Sequence, residues 1–280
     1  MRCAHLQLVM ILSMLLAVSP ACRTKVSHKL RLSSRRTLRV QQQLSSLAGS
    51  KETVKLKLPH FDSATVVVPV GTRWLRPVIV AIHGRSDSPE LNCEIWRTAT
   101  ENSNFVLCPA SRATPHDAAI MSEAEPRDVE SLANEIREGL IAIRKRYGRY
   151  VARNEVVLAG NDTGAGKVVP IAMQNPTVFS VLWLINGGFQ EWASALSTNY
   201  AQRGGKLLGL VCSDQACEAE TTRVAASARA AGLKTAIIRP GPLGFKLDAR
   251  IAEALRLAWR DSKPSGSPWS IPGASNARNP

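Results

Sequence analysis

The sequence predicts an α/β fold, a doubly wound, mostly parallel sheet in a single domain over residues 53–260. Two observations carry that expectation. Short apolar runs alternate with segments of helical periodicity from residue 64 onward, the order that stacks helices on both faces of a sheet. Most runs are apolar throughout rather than alternating, as strands covered on both faces must be.

The elements follow in order. Ala64-Thr65-Val66-Val67-Val68-Pro69-Val70 is β-branched and reads as a strand, and Pro77–Gly84 is a stronger one. Asn104–Pro109 is the third. Val129, Leu132, Ile136, Leu140, Ile143 and Tyr147 then step by three and four residues, with Asp128 near the start and Gly148 just past the end: a long amphipathic helix. Strand 155–159 leads into helix 164–175, strand 181–185 into helix 190–203, and strand 206–212 into helix 217–231. Strand 234–239 and helix 247–259 complete the alternation. Residues 261–280 are rich in Pro, Gly and Ser and read as a disordered tail.

The N-terminus is not expected to belong to the fold. Arg2 precedes an apolar run from Leu6 to Val18 and then Ser19-Pro20-Ala21-Cys22, a secretion signal over residues 1–21 that is too short to span a bilayer as a helix. Cys22 after the cut resembles a bacterial lipobox, although Ser19 stands where Leu or Val is usual. The expectation is an exported cell-envelope lipoprotein, with plain secretion or an uncleaved anchor as alternatives. Residues 22–52 are polar and basic and read as a disordered tether.

Cysteine usage fits export. Beyond Cys3 and Cys22, four remain, and Cys93, Cys108, Cys212 and Cys217 read as two local disulfides, 93–108 and 212–217, among three possible pairings. Buried free thiols are the alternative. Neither pair has zinc-ligand spacing or a nearby second histidine, so no metal is expected, and no cofactor motif is present.

The formal net charge is +14. Seven basic residues and no acidic one lie between Arg23 and Val40, and setting these and Arg2 aside leaves 28 basic residues against 22 acidic. The excess is therefore largely a property of the tail. Beside a lipid-bearing Cys22, residues 23–40 would be attracted to an anionic membrane surface; a solvated linker is the plain alternative. Nucleic acid is disfavoured as a partner, because no aromatic residue interleaves with these charges.

The chemistry concentrates at Val156-Val157-Leu158-Ala159-Gly160-Asn161-Asp162-Thr163-Gly164. An apolar strand runs into a Gly-x-Asp-x-Gly turn and then a helix, as in a nucleophile elbow, with aspartate where serine is usual. With Val78-Ile79-Val80-Ala81-Ile82-His83-Gly84 before it and Pro240-Gly241-Pro242-Leu243-Gly244-Phe245 after it, the chain resembles α/β-hydrolase-fold proteins of the esterase, dienelactone-hydrolase and polyhydroxybutyrate-depolymerase type, over residues 64–260.

That resemblance implies an oxyanion hole of backbone N–H groups at Gly84, Arg85 and Thr163, with His83 shaping the loop. It places the nucleophile at Asp162, the general base at or beside Phe245, and the acid in the loop holding Asp214, at a position nearer Ala216. The five histidines are His5, His28, His60, His83 and His116, so none follows the elbow. An ester formed on Asp162 would lack a base to release it. The Asp162 carboxylate is expected to fill the oxyanion hole itself, or to pair with Lys246, Arg85 or Lys167; a tolerated surface aspartate is the bland alternative.

Among other candidates, Ser86 reads as a turn residue, Lys167 as a solvated one, and Trp96, Trp183 and Trp192 as core or pocket wall. The leading expectation is a catalytically inactive, hydrolase-like protein that binds a small ligand or an envelope partner through the old active-site cleft. The competing one is an ester hydrolase with Asp162 as nucleophile, and the third is a structural envelope lipoprotein.

Overall fold

The apolar runs assemble into one eight-stranded sheet with helices on both faces. The computed structural model describes residues 43–85, 87–110, 126–192, 194–241 and 247–262. In chain order these form β1 (Thr53–Leu56), β2 (Ala64–Val67), β3 (Arg76–Ile82), α1 (Pro89–Ala99), β4 (Phe105–Cys108), α2 (Pro126–Tyr147) and β5 (Val151–Asn161). Then follow α3 (Thr163–Gln174), β6 (Val181–Ile185), α4 (Ser194–Gln202), β7 (Leu207–Val211), α5 (Glu218–Ala230), β8 (Lys234–Ile238) and α6 (Ala249–Ser262). The strands lie in the order β1-β2-β4-β3-β5-β6-β7-β8. The β1–β2 and β2–β4 pairs are antiparallel and every other pair is parallel.

Side chains alternate across each strand, so a run apolar throughout feeds two cores at once. Val78, Val80 and Ile82 of β3 and Leu158 of β5 pack with Ile136 of α2, Val168 of α3, Tyr200 of α4 and Val224 of α5. Ile79, Ala81, Val157 and Ala159 face the other way, against Trp96 of α1 and Leu255 and Trp259 of α6. On that second face Trp96 meets both Trp183 and Trp259 edge-on, with ring centroids 6.1 Å apart in each pair. Trp192 is buried on the first face, donating from Nε1 to Ser197 Oγ at 2.8 Å. All three tryptophans singled out in the sequence are thus buried core residues.

Several elements differ from the sequence-based expectation. Helix α1 is additional; Ser88 caps it by accepting from Leu91 N–H at 3.2 Å, and Pro89 occupies its first turn. Strand β5 begins at Val151 instead of residue 155, and α4 begins at Ser194 instead of 190 because residues 186–191 form a loop over the sheet edge. The sequence assigns residues 43–52 to the tether, yet Leu47 is buried and Leu44 and Leu47 donate to Arg73 O and Thr72 O at 2.8 Å. An apolar residue every few positions is enough to dock a segment that carries no regular structure. Helix α6 runs through Ser262, past the expected start of the tail. The signal peptide, Cys22, residues 23–40 and the rest of the tail lie outside the described residues. No helix among the described residues is long and apolar enough to cross a membrane.

Both disulfides form as paired in the sequence: Cys93–Cys108 ties α1 to β4, and Cys212–Cys217 closes the loop after β7. Their sequence separations are 15 and 5. On loop-closure entropy the first contributes about 3 kcal/mol and the second about 2 kcal/mol. Urea unfolding of Cys93→Ala/Cys108→Ala is therefore expected to show the larger loss, and Cys212→Ala/Cys217→Ala the smaller. The reverse order would mean that the short bridge holds more of the structure than its own loop.

Candidate functional site

Strand register creates the site. Gly160 of β5 lies opposite Ile82 of β3, Asn161 opposite Ile185 of β6, and Ile185 opposite Val211 of β7. The loops after these four strands therefore leave the sheet at one level, on its C-terminal edge. Strands β4 and β5 sit on opposite sides of β3, so the winding direction reverses there. A crevice opens at strand ends where winding reverses.

Asp162 forms the apex of the turn between β5 and α3, at φ 50° and ψ −122°. A residue with a side chain adopts such a conformation at a cost of roughly 1–3 kcal/mol. The surroundings impose it. Asp162 N–H donates to Ile185 O at 2.9 Å, and Asp162 O accepts from Ala165 N–H at 3.0 Å. A Cβ on Gly160 would stand 2.5 Å from Gly164 O, and one on Gly164 would stand 2.5 Å from His83 O. The first turn of α3 is thus pressed onto both its own strand and the end of β3, and the two glycines of the Gly-x-Asp-x-Gly pattern are what permit it.

This approach brings the turn after β3 against Asp162. Arg85 N–H donates to Asp162 Oδ2 at 3.3 Å, and a Cβ on Gly84 would fall 2.7 Å from Asp162 Cβ. The carboxylate thereby occupies one of the main-chain donors expected to serve an oxyanion. Lys167 on α3 is part-buried and does not line the cleft above Asp162. Phe245, Lys246 and Ser86 lie outside the described residues. His83 points Nδ1 at Gly84 O, 2.8 Å away, and Nε2 at Ala110 O, 3.3 Å away. It shapes the loop, as expected, and joins it to the end of β4.

The cleft itself has a volume of about 290 Å³. Asp162 and Thr163 form one side, residues 186–191 a second, and Asp214, Ala216, Cys217 and Glu220 the third. The structure thus brings Asp162, Thr163 and Asp214 together, with Gly84 and Arg85 adjoining Asp162. Asp214 spends one carboxylate oxygen on Ala216 N–H, at 3.0 Å, capping the turn that the Cys212–Cys217 bridge closes.

Other residues at the site were not legible beforehand. Asn161 is fully buried and donates from Nδ2 to Asp87 Oδ2. Asn186, at φ 53°, accepts at Oδ1 from Ser213 N–H at 3.0 Å and from its hydroxyl at 2.8 Å. Glu191 and Glu220 complete the lining. The one available signal was Asn186-Gly187-Gly188 directly after a buried strand, where a backbone turns sharply at a strand end. Among the described residues, no group of three or more His, Cys, Asp or Glu side chains stands close enough to hold a metal ion.

The fold is shared with solved structures of hydrolases. A dienelactone hydrolase from Anabaena variabilis matches 75% of this chain and 94% of its own length, at 15% identity and a TM-score of 0.52. An S-formylglutathione hydrolase from Staphylococcus aureus matches 78% of this chain and 99% of its own, at 13% identity and a TM-score of 0.53. At such identities the likeness is one of fold, and the fold is that of the α/β hydrolases. No protein-family model matches the sequence, and neither does any curated protein.

The charge environment is tense beside the elbow. Burial pushes the Asp87 carboxyl above its ordinary value of 3.8; the Asn161 amide, His83 and the Gly84 backbone oppose this, and the neighbouring Asp162 charge adds to it. A carboxyl raised in the folded state contributes stability that is fully present below its unfolded pKa and lost as pH rises through the folded one. Asp87→Asn keeps an acceptor for Asn161 and cannot ionise. Unfolding curves from pH 3 to 8 should therefore show the variant gaining on the wild type as pH rises through that window and holding a constant lead above it. Parallel curves across the whole range would show that Asp87 ionises without strain.

Proposed function

We propose that this chain is an exported cell-envelope protein that uses the α/β-hydrolase fold to bind a small ligand or an envelope partner without hydrolysing it. The observation that carries the reading is the Asp162 carboxylate at the elbow, accepting the Arg85 N–H at 3.3 Å. A developing oxyanion needs that donor free. Here it would meet a fixed negative charge instead.

The missing base points the same way. Of the two histidines among the described residues, His60 lies against Glu138 at 2.7 Å, and His83 faces two main-chain carbonyls. None follows the elbow in sequence. Export is supported by the apolar run Leu6–Val18 and by two disulfides, which persist in oxidising compartments. The Cys22 site would anchor the protein by a lipid, and the basic stretch 23–40 would add attraction to anionic headgroups.

One observation favours a second reading. The φ 50° apex presents Asp162 as a nucleophile would be presented, so an ester hydrolase forming an aspartyl intermediate is the runner-up. Turnover of short and medium-chain nitrophenyl esters separates the two. The full-length wild type and Asp162→Ala are both expected to match the buffer rate, and Asp162→Ser with Phe245→His to acquire measurable turnover. Wild-type turnover that disappears in Asp162→Ala would establish the hydrolase and end the binding reading.

A further inference from the structure

We infer that the sheet edge opposite the cleft, at the corner of α2 and β5, docks on an anionic phospholipid bilayer. The inference rests on reading the chain as an envelope protein, and it names the surface by which the folded domain meets the membrane. Five basic side chains gather there: Arg73 in the turn before β3, Lys145 and Arg146 at the end of α2, Arg149 in the turn that follows, and Arg153 early in β5. All five are exposed. Arg76 at the start of β3 pairs in register with Val151 at the start of β5, which brings the two segments side by side.

The positive charge at this corner is concentrated. The chain holds no aspartate or glutamate over residues 63–86 or 139–154. None of the five basic residues makes an ion pair among the described residues. Arg146 and Arg149 lie over the rings of Tyr147 and Tyr150, 5.3 and 5.4 Å from the centroids, which positions each guanidinium without neutralising it. Acidic residues on the same side of the sheet are matched or distant. Glu52 pairs with Arg97 at 3.1 Å and Glu101 with Arg256 at 3.2 Å, while Asp261 lies by Lys234 of β8, three strands from β5.

Apolar groups stand beside the charge. Next to Arg73 are Trp74, part-buried, and Leu75, 37% exposed. Basic side chains flanked by an accessible tryptophan and leucine suit the bilayer interface, where charge meets phosphate and the apolar groups enter the headgroup layer. The phosphates of a nucleic acid would attract the same charges but would give Leu75 nothing to bury against.

The N-terminal segment also arrives at this corner. Leu44 and Leu47 donate to Arg73 O and Thr72 O at 2.8 Å, and the Tyr150 hydroxyl donates to Ser45 O at 3.2 Å. Upstream, seven more basic residues lie between Arg23 and Val40. A tether held at a membrane would therefore deliver the basic corner to the lipid and leave the cleft facing away. The length of β5, from Val151 to Asn161, separates the corner from Asp162 by roughly 30 Å at about 3.3 Å per residue. That exceeds a Debye length of about 8–10 Å, so the carboxylates of the cleft do not oppose docking.

Flotation of the full-length protein with vesicles tests this. Vesicles of phosphatidylcholine are compared with vesicles that also carry about 30% phosphatidylglycerol. Arg146→Gln with Arg149→Gln is expected to bind the anionic vesicles about tenfold or more weaker than the wild type. Arg239→Gln with Arg250→Gln removes the same charge from exposed positions on the cleft side and should leave that binding within about twofold. Residues 1–42 are common to all variants, so their contribution cancels in these ratios. On anionic vesicles, hydrogen exchange should slow at residues 72–75 and 145–150 and stay unchanged at 187–191 and 214–217.

An affinity unmoved by Arg146→Gln with Arg149→Gln would overturn the inference. So would an equal loss in the two double variants, which would reduce the effect to net charge, or protection at the cleft with none at the corner. Tighter binding of a DNA duplex than of anionic vesicles, lost in Arg146→Gln with Arg149→Gln, would reassign the corner to nucleic acid and overturn it too. Export is read separately, by fractionating cells. A cytoplasmic chain whose corner still docks on anionic vesicles would remove the envelope reading and leave the lipid-binding surface standing.

Discussion

The contact on which the site depends is the pressing of the first turn of α3 against the end of β3. Gly164 meets His83 O at a distance that leaves no room for a side chain, and Gly160 meets Gly164 O in the same way. Because β3 and β5 are register-locked neighbours, this contact fixes the height of Asp162 above the sheet and brings the Arg85 N–H to its carboxylate. A Cβ on Gly187 would fall 2.5 Å from Asp162 O, so the loop after β6 closes on the apex from the other side. The positive φ at Asp162 is imposed by these three approaches. It is a property of how the scaffold packs around the backbone of the apex. The elbow geometry is therefore weaker evidence for catalysis than its resemblance to a nucleophile's setting suggests.

Much of the fold was legible because its physics is local and repetitive. The buried parallel strands show as unbroken apolar runs, and α2 shows as a stripe from Val129 to Tyr147. Helix α1 escaped because its core residues include Asn92 and Cys93, which blur the stripe, although Ser88-Pro89-Glu90 carried a start signal. Strand β1 escaped because four residues on a sheet edge, with only Leu56 buried, leave almost no pattern. Both disulfide pairs followed from short spacing, which makes local closure the simplest pairing.

The site was legible only in its sequence-continuous part. Gly160–Gly164 announces the turn, and His83-Gly84 the loop beside it. Asn186 and Glu191 belong to the loop after β6 and Glu220 to α5, and only the register of β5, β6 and β7 brings them to one level with Asp162. No spacing along the chain encodes that meeting. Asp87 is a similar case, placed by the fold within hydrogen-bonding reach of Asn161, 74 residues away. Loops that assemble a site do so without a regular repeat, which leaves periodicity nothing to detect.

The charge of the cleft follows from what has been placed at a helix start. The N-terminus of α3 carries the partial positive charge of its unpaired N–H groups, and such a site favours an anion. With a neutral residue at the apex, that anion would come from outside, as a ligand carboxylate or an oxyanion. Asp162 supplies it from within the chain, fixed and already hydrogen-bonded to the Arg85 N–H. The attraction for an external anion is then spent. Glu191, Asp214 and Glu220 add further negative charge around the same space, and the Cys212–Cys217 bridge holds Asp214 in its loop. The negative charge that this helix start favours is thus supplied by the chain itself, at the apex of the turn.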